Sequence, residues 1–382
     1  MPWPTKKLGE ICEISAGGSA PQGVKYFENG RYPFFRTSDV GVVHLSDNLC
    51  DTRDYLNDHG IKNLKLFKKG TILFPKSGAS TFLNHRVTMG CDGYVSSHLA
   101  TISASEEIYY KFLYFFLTLI DAKAVTPNTA YPSLKISDIA KIEIPLPPLE
   151  IQKRIVERLD KIAEAQKLND ELIQKTDELF QSLLHSLIRA NSGIVKRLGS
   201  MFKRITDSIL PAKYPDQKFN FIGLENIESN TGQLINPKPI AGKFVRSTKT
   251  HFQTGDVLYG KLRPYLNKVW LAECNGICST DIWVLRAEES VVLPQLLWSI
   301  LQQPSIVEKS SASMSGANLP RANKDVFDNI KVAMPPLSEQ KRIVAKLSSV
   351  QEYKKQLLDQ KAKLKELFDS TLSKSMKGEM DE

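Results

Sequence analysis

Two stretches of the chain carry a long helical rhythm of apolar positions, and each follows a Pro-Pro pair. In the first, Ile155, Leu159, Ile162, Asn169, Ile173, Thr176, Phe180, Leu183 and Leu187 recur at spacings of three, four and seven. In the second, Ile343, Leu347, Val350, Leu357, Leu364 and Phe368 do the same. Such spacing predicts coiled-coil-like helices with polar interruptions. Proline is absent from both after their start, and Gly193 and Gly378 stand near their ends as stop signals. Each helix is expected to run roughly 40 residues, about 60 Å at the α-helical rise. Between them the pattern changes to short β-type runs at 71–74, 142–146, 256–259, 268–272 and 281–285, bounded by Gly, Pro and Asn. Apolar helical stretches fall at 108–120 and 293–300.

The two halves repeat one another. PPLEIQKRIVERL begins at Pro147, and PPLSEQKRIVAKL begins 188 residues later at Pro335. At the same offset Glu178-Leu179-Phe180 recurs as Glu366-Leu367-Phe368. Weaker correspondences precede these blocks: the run from Gly70 to Lys76 with that from Gly255 to Lys261, Cys91-Asp-Gly93 with Cys274-Asn-Gly276, and Leu8-Gly9 with Leu198-Gly199. The expected layout is a globular domain over 1–148, a central helical spacer over 149–190, a second globular domain over 191–336 and a C-terminal helical spacer over 337–382. The fold class expected is α+β, two pseudo-symmetric domains joined by two long antiparallel coiled-coil helices. Leu159, Ile162, Ile173, Phe180 and Leu183 on the first helix, and Leu347, Val350, Leu357, Leu364 and Phe368 on the second, are the expected packing positions. Gln166, Asn169, Lys354 and Lys361 are polar seam positions able to set register.

Composition places the chain among ordinary globular proteins, with 42% hydrophobic and 24% charged residues over 382 positions. Lys and Arg exceed Asp and Glu by 51 to 42. The surplus is uneven: the first globular segment is net +2, the second +6, and the two helices together +1. A polyanion would therefore meet the globular halves, chiefly the second. Five scattered cysteines give no disulfide framework. Cys274 and Cys278 lack the partner pair of a zinc site, and no metal is expected. The longest apolar stretch, 108–120, is too short to span a bilayer, and MPWPTKKLGE is not a signal peptide. A cytoplasmic protein without membrane attachment is expected.

No catalytic motif is present. Gly70-x5-Lys76-Ser77 lacks the glycine before lysine that a phosphate loop needs, since Pro75 is there. No dinucleotide fingerprint, S-adenosylmethionine loop, paired-histidine motif or metal-nuclease carboxylate set appears. The candidate chemistry is recognition. Lys261, Arg263, Tyr265, Asn267 and Lys268 follow a strand and mix basic, aromatic and amide groups, the side chains that anchor phosphate and read base edges. The matching place in the first half holds Lys76 and Ser77, with Asn84 and Arg86 beyond. A second candidate pairs Asn318 and Arg321 with Tyr131 and Ser133.

The chain resembles the specificity subunit of Type I restriction–modification systems. The doubled Pro-Pro-Leu-x2-Gln-x-Arg-Ile-Val block at 147–156 and 335–344 carries the resemblance, with Trp3-Pro-x2-Lys7-Leu8-Gly9-Glu10, Gly17-Gly18, Gly255-Asp-Val-Leu-Tyr259 and the two-half layout. The resemblance implies two target recognition domains, each reading one half of a bipartite double-stranded DNA site. It implies that the helices act as spacers and dock two methyltransferase subunits, which bind S-adenosylmethionine and methylate adenine. A restriction motor-nuclease subunit can join. This chain itself then needs no cofactor and is no enzyme. A helix of about 60 Å exceeds one DNA turn of about 34 Å, so two readers on it can meet separated half-sites. A specificity subunit of a methylation-only or other defence system keeps the same fold; a stand-alone DNA enzyme and a protein-only adaptor are the alternatives from other classes.

Overall fold

A computed structural model describes residues 3–43, 48–125, 133–190, 194–312, 314 and 319–379, the side chains of 79 and 187–190 excepted. Two helices dominate, the central helix Leu149–Ala190 and the C-terminal helix Leu337–Lys377. At 42 and 41 residues each is about 60 Å long. The expected strands appear as Ile72–Pro75, Glu143–Pro145, Val257–Gly260, Val269–Leu271 and Ile282–Ala287. The two expected shorter helices appear as Tyr110–Thr118 and Pro294–Leu301.

The chain forms two compact units, and their boundaries fall inside the long helices rather than at their starts. Unit 1 comprises Met1–Asn169 with Gln360–Glu382, and unit 2 comprises Asp170–Asp359. Unit 1 holds an antiparallel sheet in the order Cys12–Ala16, Leu99–Ala104, Ile72–Pro75, Val87–Thr88. Unit 2 holds the counterpart in the order Phe202–Ile205, Ile282–Ala287, Val257–Gly260, Val269–Leu271. Each unit adds a second sheet containing one parallel pair, Tyr32–Phe35 with Tyr94–Val95 and Lys218–Ile222 with Gly276–Cys278. Each also closes with a two-stranded ribbon, Thr5–Lys7 on Glu143–Pro145 and Ile194–Arg197 on Lys331–Met334.

The strand that was apolar on both faces in sequence separates two cores. Ile72 and Phe74 face the core that includes Tyr110–Thr118, and Leu73 faces the core behind the other sheet. Val257 and Tyr259 divide from Leu258 in the same way. This is the period-two alternation of a strand buried on both sides.

The long helices belong to these cores as much as to a spacer. In unit 1, Ile155 and Leu159 from the start of the central helix share one cluster with Leu372 and Met376 from the end of the C-terminal helix, with Phe368 packed against it. Phe368 meets Phe115 edge-to-face at 5.8 Å. In unit 2 the roles exchange: Ile343 and Leu347 begin, Phe180 and Leu184 end, with Leu183 and Val350 against them. Gln166 Nε2 donates to Leu364 O at 3.1 Å in unit 1, and Lys354 pairs with Asp177 at 2.6 Å in unit 2. Those partners require antiparallel helices. Leu357 is buried, and Ile162, Ile173 and Leu364 are half-buried.

The repeated Pro-Pro-Leu-x2-Gln motif has a single physical purpose visible in both units. Gln152 is 0% exposed; its Oε1 accepts Tyr109 N–H at 2.7 Å, and its Nε2 donates to Pro147 O at 2.8 Å and Glu107 O at 3.2 Å. Gln340, 1% exposed, accepts Leu293 N–H at 3.0 Å and donates to Val291 O at 2.8 Å and Pro335 O at 3.0 Å. Tyr109 and Leu293 are the N-caps of the shorter helices, so each glutamine satisfies a helix start from outside. Gln152→Ala is expected to destabilise unit 1, and Gln340→Ala unit 2, by about 2–3 kcal/mol each, because buried backbone groups lose their partners. Urea unfolding followed by hydrogen exchange, resolved by unit, measures this.

Candidate nucleic-acid interface

The two candidate segments of each half, far apart in sequence, are bonded together. In unit 1, Lys76 N–H donates to His98 O at 3.0 Å, Leu134 N–H donates to Lys76 O at 2.8 Å, and Ser77 bridges to Ser133. In unit 2, Lys261 N–H donates to Asp281 O at 3.0 Å, Ala322 N–H donates to Lys261 O at 2.8 Å, and Leu262 bridges to Arg321. The same backbone junction is therefore built twice, from the end of the central strand, the residue preceding its neighbour strand, and the segment leading to a short helix.

Side chains at the two junctions differ. Unit 1 presents Lys76, Ser77 and Ser133, with Ser77 Oγ and His98 Nδ1 2.7 Å apart. Unit 2 presents Lys261, Arg263, Tyr265 and Arg321; Arg263 and Tyr265 are exposed, and Arg321 is paired with Asp281. Neither Lys76 nor Lys261 makes an ion pair among the described residues. A 3-10 turn follows each junction, Ala79–Leu83 and Pro264–Leu266. Its first cap is Gly78 at φ 78° in unit 1 and Arg263 at φ 51° in unit 2. A left-handed arginine costs about 1–2 kcal/mol where glycine pays nothing. Unit 2 keeps a guanidinium at a place where backbone geometry favours glycine.

Four of the expected reader residues have bonding partners within their own unit. Asn84 at φ 54° and Asn267 at φ 47° close the two turns in left-handed geometry, which asparagine tolerates better than most residues. Asn84 Nδ2 donates to Asp121 Oδ1 at 3.1 Å, and its Oδ1 accepts Ala122 N–H at 2.8 Å. Asn267 is 9% exposed and donates to Gln302 O at 3.3 Å. Lys268 Nζ donates to Leu224 O at 2.7 Å. Arg86 is fully buried, its guanidinium 3.3 Å from the centre of the Phe74 ring, donating to His85 O at 2.7 Å and Ile120 O at 3.3 Å. Burial pulls its pKa down to about 9, with nearby Asp121 acting in the opposite direction. Tyr131 and Asn318 lie outside the described residues. Asp281 and His98 were missed, although both directly precede a strand shortly after the matched Cys-x-Gly pieces.

The chain is a duplicated module that keeps one pattern of backbone bonds and varies the side chains on it. The comparisons agree: residues 1–176 and 194–366 each match the Type I restriction modification DNA specificity domain, and the chain belongs to that family. It is a recognition subunit and not the catalyst. It is 24% identical, over 99% of its length and 88% of the relative's, to the Type I restriction enzyme EcoDI specificity subunit of Escherichia coli. Over 55% of its length and 43% of the relative's, it is 31% identical to the MjaIX specificity subunit of Methanocaldococcus jannaschii. A chain in a solved structure of the type I R-M system shares the fold with a TM-score of 0.62, at 20% identity, covering 99% of this chain and 98% of that one. No described helix is long and apolar enough to cross a membrane.

Arg86→Ala is expected to lower the stability of unit 1 by about 3 kcal/mol, through lost packing on Phe74 and two unpartnered carbonyls. Arg86→Met, which refills the volume, is expected to cost less than half as much. Urea midpoints of the two variants test this.

Proposed function

We propose that this chain reads an asymmetric, two-part double-stranded DNA site, one half with each unit, and presents it to adenine methyltransferase subunits. The observation that carries the reading is the junction built twice with one backbone and two side-chain sets. Identical backbone framing suits a common docking geometry on the duplex, and different side chains suit different half-sites. Lys76 and Lys261 supply the sequence-independent part by neutralising phosphate. Ser77 and Ser133 in unit 1, with Arg263, Tyr265 and Arg321 in unit 2, supply base contacts.

The proposed division is a target recognition domain over 1–148, helical spacer over 149–190, a second recognition domain over 191–336 and helical spacer over 337–382. Two methyltransferase subunits would dock on this chain and carry the S-adenosylmethionine, and a restriction motor-nuclease would join them, all in the cytoplasm. The family assignment and the catalytic chemistry that must come from elsewhere support this. Co-expression with the methyltransferase encoded beside it, in a host lacking such systems, followed by mapping of modified adenines, is the test. One two-part motif that vanishes without this chain is expected; methylation independent of it, or none from an intact and active complex, sinks the reading.

Arg263→Ala is expected to relax or abolish recognition of one half-site while the other remains required. Lys76→Ala and Lys261→Ala are each expected to weaken binding on all sequences alike. Each should also flatten the slope of log affinity against log salt by about 0.9, the share of one phosphate. Titrations of DNA binding at several salt concentrations measure this.

A further inference from the structure

The Asp281–Arg321 pair leaves one edge of a guanidinium committed and the other open. Asp281 Oδ1 accepts from Arg321 Nε at 3.0 Å and also lies 3.0 Å from Nη2. Nε and Nη2 form the side-on edge of the fork. The end-on edge, Nη1 with the second proton of Nη2, makes no hydrogen bond among the described residues, and the Arg321 side chain is 42% exposed. Asp281 is itself fixed, because its backbone carbonyl holds Lys261 N–H and its strand Ile282–Ala287 lies between two others. Arg321 is fixed at its backbone by the bridge to Leu262.

A planar guanidinium anchored at both its backbone and its side-on edge loses little freedom when its end-on edge engages a partner. That edge presents two parallel N–H donors, the pattern complementary to O6 and N7 of guanine in the major groove. In unit 1 the equivalent positions are Ser133 and His98, and His98 bonds to Ser77 instead. No guanidinium can stand there, so the two units differ at this point in kind.

Resting on the DNA reading above, we propose that Asp281 is a positioning residue for base recognition. It holds the side-on edge of Arg321 so that the end-on edge meets one guanine of the half-site read by unit 2. Arg321 makes the contact, and Asp281 sets its aim.

The test uses the full chain co-expressed with its methyltransferase, with base frequencies at every motif position read from modified adenines and thermal melting of the purified complex alongside. Arg321→Ala is expected to reduce the preference for guanine at one position of one half-site by roughly five- to 150-fold, leaving the other half-site fully required. Asp281→Asn keeps the backbone bond to Lys261 and is expected to loosen that same position by a smaller factor. Arg321→Lys, which retains charge without the fork, is expected to behave like Arg321→Ala and carries the test if the alanine variant fails to assemble. A merely structural role would lower occupancy of all sites together and leave base frequencies unchanged; that outcome, or wild-type frequencies in the variants, overturns the proposal. Absence of any two-part motif with the wild-type chain overturns the underlying DNA reading, and is told apart because the unaltered protein fails as well.

Discussion

Everything else in each unit hangs on one buried amide. Gln152 and Gln340 each join three segments that the chain would otherwise leave loose: the start of a long helix, the start of a short helix, and the loop before it. An amide is the side-chain group that both accepts and donates through a planar end, so it can satisfy a helix-start N–H and two carbonyls at once. Because the partners are buried backbone groups, no water can replace it cheaply. The long helix is thereby tied to the short helix of its own unit, which packs in one core with the central strand that leads to the junction.

Within that frame the two units have kept backbone and exchanged chemistry. The bonds at Lys76 and Lys261 agree in partner position and length, while Ser133 corresponds to Arg321 and His98 to Asp281 in the repeat. In the proposed reading, the constant parts serve contacts a duplex offers at any sequence, and the variable parts serve contacts to particular bases. Arg263 shows the same division: the turn needs a left-handed residue, unit 1 supplies glycine, and unit 2 accepts strain to keep a guanidinium.

The sequence was a good guide to elements, and it paired the segments that meet at each junction. Doubled blocks, heptad spacing and short apolar runs are local signals, and the strands and helices they predicted are present within a few residues. The matched Lys76 and Lys261 segments also met their partners. Residue type misled where a side chain's partner is remote or its role is conformational. Arg86 is read as a surface cation until Ile120 and Phe74 enclose it, and residue type does not show that Asn84 and Asn267 take left-handed φ angles. Leu159, Phe180 and Leu347 lie in globular cores, which was not visible in sequence, because periodicity marks a buried face without saying what covers it.

Sharing helix ends between cores has a consequence for the order in which the chain can close. Unit 2 is one continuous stretch, and every residue of its cluster has left the ribosome once residue 359 has. Unit 1 is split: Ile155 and Leu159 wait for Phe368, Leu372 and Met376, more than 200 residues later. Its core is completed by a long loop closure that bridges the whole of unit 2, and the entropy of that closure falls once unit 2 has folded and shortened the loop. The second half of the chain is thus the natural first folder, and the first-made half is the last to finish.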